Sequence, residues 1–121
     1  MTRIIWSEEE TALLIVFSMW GFRQETIAEI LTNRTPELHG LLPSSPIYTR
    51  TTSAVRNKVN DVRAHNPKLW NKDEGWNQIA VAEHLYNSIV DHDHVTRLLN
   101  LTVADIERII RIPRQSFLSE T

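Results

Sequence analysis

The chain has no cysteine among its 121 residues. Disulfides and Cys-ligated zinc are therefore excluded, and a reducing compartment suits it. Glycine occurs only three times and proline five times. No glycine-rich loop is present to cradle a phosphate, and no metal-protease motif occurs. Long hydrophobic runs are missing too. The longest, Ala12 to Trp20, is interrupted by Ser18 and is too short to span a bilayer, so no membrane contact is expected. The N-terminus has acidic residues where a signal peptide would continue apolar, so secretion is not expected.

Hydrophobic content is 41%, and four Trp residues argue for a packed core rather than disorder. The net charge of −2 speaks against a nucleic-acid binder when taken alone. Its distribution matters more. Residues 1–70 carry +1 and residues 71–121 carry −3. From Arg50 to Lys72 six basic residues face Asp61 as the single acid. The positive charge is concentrated where a DNA-facing edge would need it.

Scarce glycine and apolar residues at helical spacing predict an all-α fold of about six helices. A first helix starts after Ser7, with Ser7 and Glu10 at capping-box spacing, and stops at Gly21. Its middle, ALLIVFSMW, is apolar on nearly every side, so neighbours must cover more than one face. A second helix runs from about Gln24 to Thr32. Pro36, Gly40, Pro43 and Pro46 then break the pattern, although Thr35-Pro36-Glu37 suits the start of one short helical turn. A third helix is capped by Thr51 and spans about 51–64, ending before Asn66-Pro67. Leu69, Trp70 and Trp76 flank a polar turn, 71–75. Further helices are predicted over about 75–89, over 93–99 with Asp93 as cap, and from Thr102 to before Pro113. No pattern orders the residues after Pro113.

The third helix carries the chemistry. Ala54, Val55, Val59 and Val62 form its apolar stripe, and Arg56, Asn57, Asn60 and Arg63 take the other side. Asparagine matches the two polar edge atoms of adenine, and arginine those of guanine. Arg56, Asn57 and Asn60 are thus the candidate base readers. Arg50, Thr51, Lys58 and Arg63 are the candidate phosphate contacts.

Three segments, "WSEEE…LL" at Trp6 to Leu14, "IAEIL" at Ile27 to Leu31 and "RT..AVRNKVN" at Arg50 to Asn60, together resemble the Myb/SANT-like helix-turn-helix domain. The resemblance covers residues 4–65. It implies a three-helix unit over 1–66 with an inserted loop, 32–49, and a third helix that enters the major groove. Gln24 and Val59 stand where the family buries aromatics, so Trp20 or Phe22 is expected to substitute. Residues 67–121 have no counterpart in one repeat and are expected to pack as a helical extension on the same core, covering the first helix. The implied function is sequence-selective double-stranded DNA binding in the nucleus, related to transcription or chromatin. The alternative is a SANT-like module that binds a histone tail or another chromatin-complex protein without reading bases. A protein partner, or a second copy of the chain, would meet the C-terminal helices.

Other clusters read as structural. His84, His92 and His94 with Asp91 and Asp93 look metal-like, but the run DHDH serves better as a helix-capping loop, and no metal or cofactor is expected. Asp105, Glu107 and Arg108 are expected to face outward on the last helix, where acids disfavour phosphate contact. His39 and His65 are expected at the surface. Trp70 and Trp76 fit buried anchors better than base-stacking platforms. No spacing ties Ser and His residues into a catalytic site, so no enzymatic activity is expected.

Overall fold

The first helix of the fold, α1 (Glu8–Met19), begins where its cap predicts: Ser7 Oγ accepts the Glu10 N–H at 3.0 Å. It ends at Trp20 and Gly21, the latter at φ +90°, a conformation that glycine adopts without steric cost. Six consecutive residues, Ala12 to Phe17, are buried. Helical geometry sends six consecutive side chains in every direction, so α1 is surrounded. The computed structural model describes residues 6–33, 35–42 and 50–110, and these form an all-α fold.

The helices that follow are α2 (Gln24–Thr32), α3 (Pro36–Leu41) and α4 (Thr52–His65). A short antiparallel ladder comes next, β1 (Trp70–Asn71) with β2 (Gly75–Trp76), pairing Trp70 with Trp76 and Asn71 with Gly75. Three more helices complete the described chain: α5 (Gln78–Ser88), α6 (His92–Leu99) and α7 (Val103–Ile110). Helices α2, α4, α5 and α6 all contact α1, which explains its lack of a polar stripe. One continuous hydrophobic cluster joins residues of α1, α2 and α4 to Val81, Leu85, Val95, Leu98, Ile106 and Ile109.

The segment read as an inserted loop contains a helix. Thr35 Oγ1 accepts the Leu38 N–H at 3.2 Å, and Pro36 occupies the first turn. Leu38, Leu41 and Leu42 are buried, and α3 packs on α7, where the Thr35 hydroxyl also donates to the Ile109 carbonyl. These apolar contacts outweigh the helix-breaking effect of one proline at a position that needs no N–H. Residues 43–49 lie outside the described residues, as do Ile5 and the chain after Ile110.

The excursion is closed at its base by one side chain. Thr32, at the end of α2, accepts the Arg50 N–H on Oγ1 at 2.8 Å and donates its hydroxyl to the Arg50 carbonyl at 3.1 Å. The two ends of the segment therefore meet, and α2 and α4 pack against each other as if it were absent.

Several boundaries shift from the sequence expectation. The predicted fourth helix begins three residues late, at Gln78, because Gly75 and Trp76 pair in the ladder and Asn77 supplies the cap. The turn that pushes them into pairing is held by Asn71 Oδ1, which accepts the Asp73 and Glu74 N–H groups at 2.9 and 2.6 Å. Within α5, Val81 and Leu85 are buried, whereas Ile79 is 76% exposed. The cap of α6 is Asp91, not Asp93: Asp91 Oδ1 accepts the His94 N–H at 3.2 Å. Helix α7 has a reciprocal cap, Thr102 N–H to Asp105 Oδ2 at 2.9 Å and Asp105 N–H to Thr102 Oγ1 at 3.1 Å. Arg108 is exposed as expected, but Asp105 and Glu107 are half-buried.

Candidate nucleic-acid interface

Helix α4 owes its orientation to its valines. Thr51 caps it, Oγ1 accepting the Ala54 N–H at 3.0 Å. Val55, Val59 and Val62 are buried against α1 and α2, at the spacing that places them on one side of a helix. The opposite side is thereby set. Ser53, Arg56, Asn57, Asn60, Asp61 and Ala64 are all exposed on it. Successive residues turn by 100°, so Asn57 and Asn60 run along the crest with the small residues Ser53 and Ala64. Arg56 lies on one flank of the crest and Asp61 on the other. The three predicted base readers thus share one open face.

The flanking side chains are held. Arg56 Nε donates to Gln24 Oε1 at 3.2 Å, so the second helix steadies the guanidinium through the residue that stands where an aromatic was expected. That contact uses Nε and leaves the two terminal nitrogens to form a fork. On the other flank Lys58 Nζ lies 3.7 Å from Asp61 Oδ2, and His65 Nδ1 lies 3.1 Å from Asp61 Oδ1. The Lys58 side chain is half-buried, its charged end beside the carboxylate.

Arg50 does not belong to the phosphate-binding set. It is 4% exposed. Its guanidinium grips the Glu10 carboxylate in a two-pronged pair, Nη2 to Oε1 at 2.5 Å and Nε to Oε2 at 3.1 Å, and lies 4.1 Å from the centre of the Trp6 ring. The charge is consumed inside the fold, tying the residue before the α4 cap to the first turn of α1. Glu10, read from sequence as the residue at capping-box spacing from Ser7, is 1% exposed for this reason. A buried acid needs a partner, and an arginine fork is the side chain that fits a carboxylate in two places.

Arg63 is partly withdrawn as well. Its guanidinium stacks 4.1 Å from the Trp70 ring centre and 5.3 Å from that of Trp76, the two residues paired across the ladder. Its Nε is buried with no hydrogen-bond partner among the described residues, and burial pushes its pKa below the usual arginine value. The tryptophans thus face this cation rather than open solvent. Thr51 is exposed, as are Lys68 and Lys72 beyond the helix. Sequence reasoning passed over this last pair because neither lies on the predicted helix.

The histidine-rich segment does structural work. His92 Nε2 contacts the Tyr86 carbonyl at 3.0 Å and its ring meets Tyr86 edge-on, while His94 is 7% exposed. Among the described residues no group of three or more His, Asp or Glu side chains is placed to hold a metal ion. His39 and His65 are exposed. Among the described residues no helix is long and apolar enough to cross a membrane.

The face of α4 therefore offers two amides, each with a donor and an acceptor, one guanidinium fork and one carboxylate. No family model, no curated protein and no solved structure matches this chain.

Proposed function

We propose that this protein binds double-stranded DNA with sequence selectivity, laying the outer face of α4 in the major groove. In this reading α1, α2 and α4 are a Myb/SANT-like helix-turn-helix unit, α3 sits in an insertion between the second and third of its helices, and α5 to α7 are the extension, of which α5 and α6 cover α1. The protein is a binding module rather than an enzyme, acting in the nucleus on transcription or chromatin. Arg56, Asn57 and Asn60 meet base edges. Thr51 and Lys58 meet phosphates, joined by Lys68 and Lys72, with Arg63 contributing its charge from beneath the two tryptophans.

One observation carries the reading: Arg56, Asn57 and Asn60 are exposed together, opposite the buried Val55, Val59 and Val62. Arginine and asparagine are the side chains whose paired polar atoms match guanine and adenine edges in the major groove.

The test is an unbiased selection of duplexes on the purified chain, followed by a salt titration on the winner. The expected result is an enriched sequence whose affinity falls linearly with the logarithm of salt concentration, with a slope near −0.9 per phosphate contacted. No enrichment, or an affinity indifferent to salt, would overturn the proposal.

A second reading, a SANT-like module for a protein partner, draws on Ile79 at 76% and Val90 at 98% exposure beside the acidic second half of the chain. Isolated apolar residues are common on surfaces, which makes this the weaker case. It predicts that replacing Asn57 and Asn60 leaves the protein's interactions intact.

A further inference from the structure

The carboxylate of Asp61 sits on the same face as the amides, one helical turn beyond Asn57, and is a poor companion for a polyanion. A phosphate contact at this position would be repulsive. Its placement becomes intelligible if it faces a base. In the major groove only cytosine N4 and adenine N6 offer N–H donors, while guanine O6 and N7 and thymine O4 are acceptors that repel a carboxylate. Adenine sets its N7 acceptor beside N6, so an ionised carboxylate, which accepts from every lone pair and donates nothing, favours cytosine. The geometry points to Asp61 as a specificity-determining residue that selects a cytosine in the DNA site and penalises every other base there.

Two contacts prepare it for that role. Lys58 Nζ lies 3.7 Å from the carboxylate, and His65 Nδ1 meets the Asp61 backbone carbonyl at 2.9 Å while passing 3.1 Å from Oδ1, yet the Asp61 side chain keeps 53% of its surface open. Lys58 is itself beside the expected phosphate path, so the pair couples backbone attachment to base choice. Asp61 also lowers attraction to DNA in general, since its negative charge offsets that of Lys58. A reader that must reject wrong sequences gains from both effects, because selectivity is a difference between affinities.

This inference rests on the DNA-binding reading of α4. It is tested with the full chain and three proteins: wild type, Asp61→Asn and Lys58→Met. Each is measured on the selected duplex, on variants changed at every base pair in turn, and on random duplex. For wild type, replacing one particular cytosine should weaken binding about ten-fold. For Asp61→Asn that same replacement should matter less than about two-fold, and random duplex should bind several-fold tighter. Lys58→Met should weaken all duplexes and, because Lys58 helps hold the Asp61 carboxylate, reduce the preference for that one cytosine while leaving the other base preferences in place. Asp61 is exposed and the change to asparagine keeps its shape, and circular dichroism would show that the helices persist. If Asp61→Asn keeps every base preference of wild type, Asp61 merely partners Lys58 and the inference falls while DNA binding stands. If wild type enriches no duplex, both fall together.

Discussion

Removing either partner of the Glu10–Arg50 pair is a severe perturbation of this fold. Both side chains are 2% exposed, and they meet in a two-pronged contact under the Trp6 ring. Loss of one partner takes the two-pronged contact away from a charge that stays buried, which costs about 3–5 kcal/mol. Domain stabilities run from about 5 to 15 kcal/mol. Glu10→Ala or Arg50→Ala should therefore remove a large part of the total. With a urea slope of about 1–3 kcal/mol per M, the unfolding midpoint should fall by roughly 2 M. The double variant Glu10→Leu with Arg50→Met tests the cause. It removes both charges and keeps the volume, so it should recover most of the loss. Urea unfolding followed by circular dichroism reads all three proteins. Single-variant losses below about 1 kcal/mol, the range of a surface pair, would refute the reasoning. So would a double variant that loses the sum of the singles.

Thr32→Val removes the hydroxyl that ties Arg50 to the end of α2 and should cost about 1–3 kcal/mol by calorimetry, since the Arg50 N–H loses its partner; an unchanged melting temperature would show that other contacts close the excursion. Arg63→Ala uncovers Trp70 and Trp76 and should shift tryptophan emission to longer wavelength, with a stability loss of about 1–2 kcal/mol; an unaltered spectrum would contradict the stacking. The Thr102 N–H and hydroxyl, with Arg108 adding to them, hold the Asp105 pKa below the ordinary aspartate value. A depressed folded-state pKa contributes stability that is present above the unfolded value and lost as pH falls through the folded one. Asp105→Asn should thus flatten the acid limb of the melting profile below about pH 4, and an acid limb identical to wild type would contradict this.

Much of the architecture was legible because local rules agreed with tertiary packing. Ser7, Thr35, Thr51 and Thr102 each cap the helix that their sequence context announces. The apolar run in α1, broken by Ser18 alone, pointed to a surrounded helix, and four neighbouring helices contact it. The errors arise where a turn or the path of the chain overrides the helical pattern. Asn71 bonds two backbone N–H groups in its own turn, which sends Gly75 and Trp76 into a ladder and delays α5. Asp91 and Asp93 are equally good caps by type, and only the path of the chain chooses between them.

The candidate site divides along the same line. Asn57, Asn60 and Arg56 were readable because three valines set the helix's phase. Arg50 was not, because its partner lies forty residues earlier on another helix. Arg63 was misjudged because the tryptophans that cover it were assigned to core packing alone. Charge alone does not say whether a basic residue meets solvent or a buried acid. Glu10 is the buried acid that decides the case for Arg50, and its burial is known only after folding.

The most direct test compares dissociation constants of wild type, Asn57→Ala and Asn60→Ala on the selected duplex and on a scrambled duplex of equal composition. The account predicts that each substitution costs about 1–3 kcal/mol on the selected duplex and much less on the scrambled one. Equal losses on both, or none on either, would contradict base reading by the crest of α4.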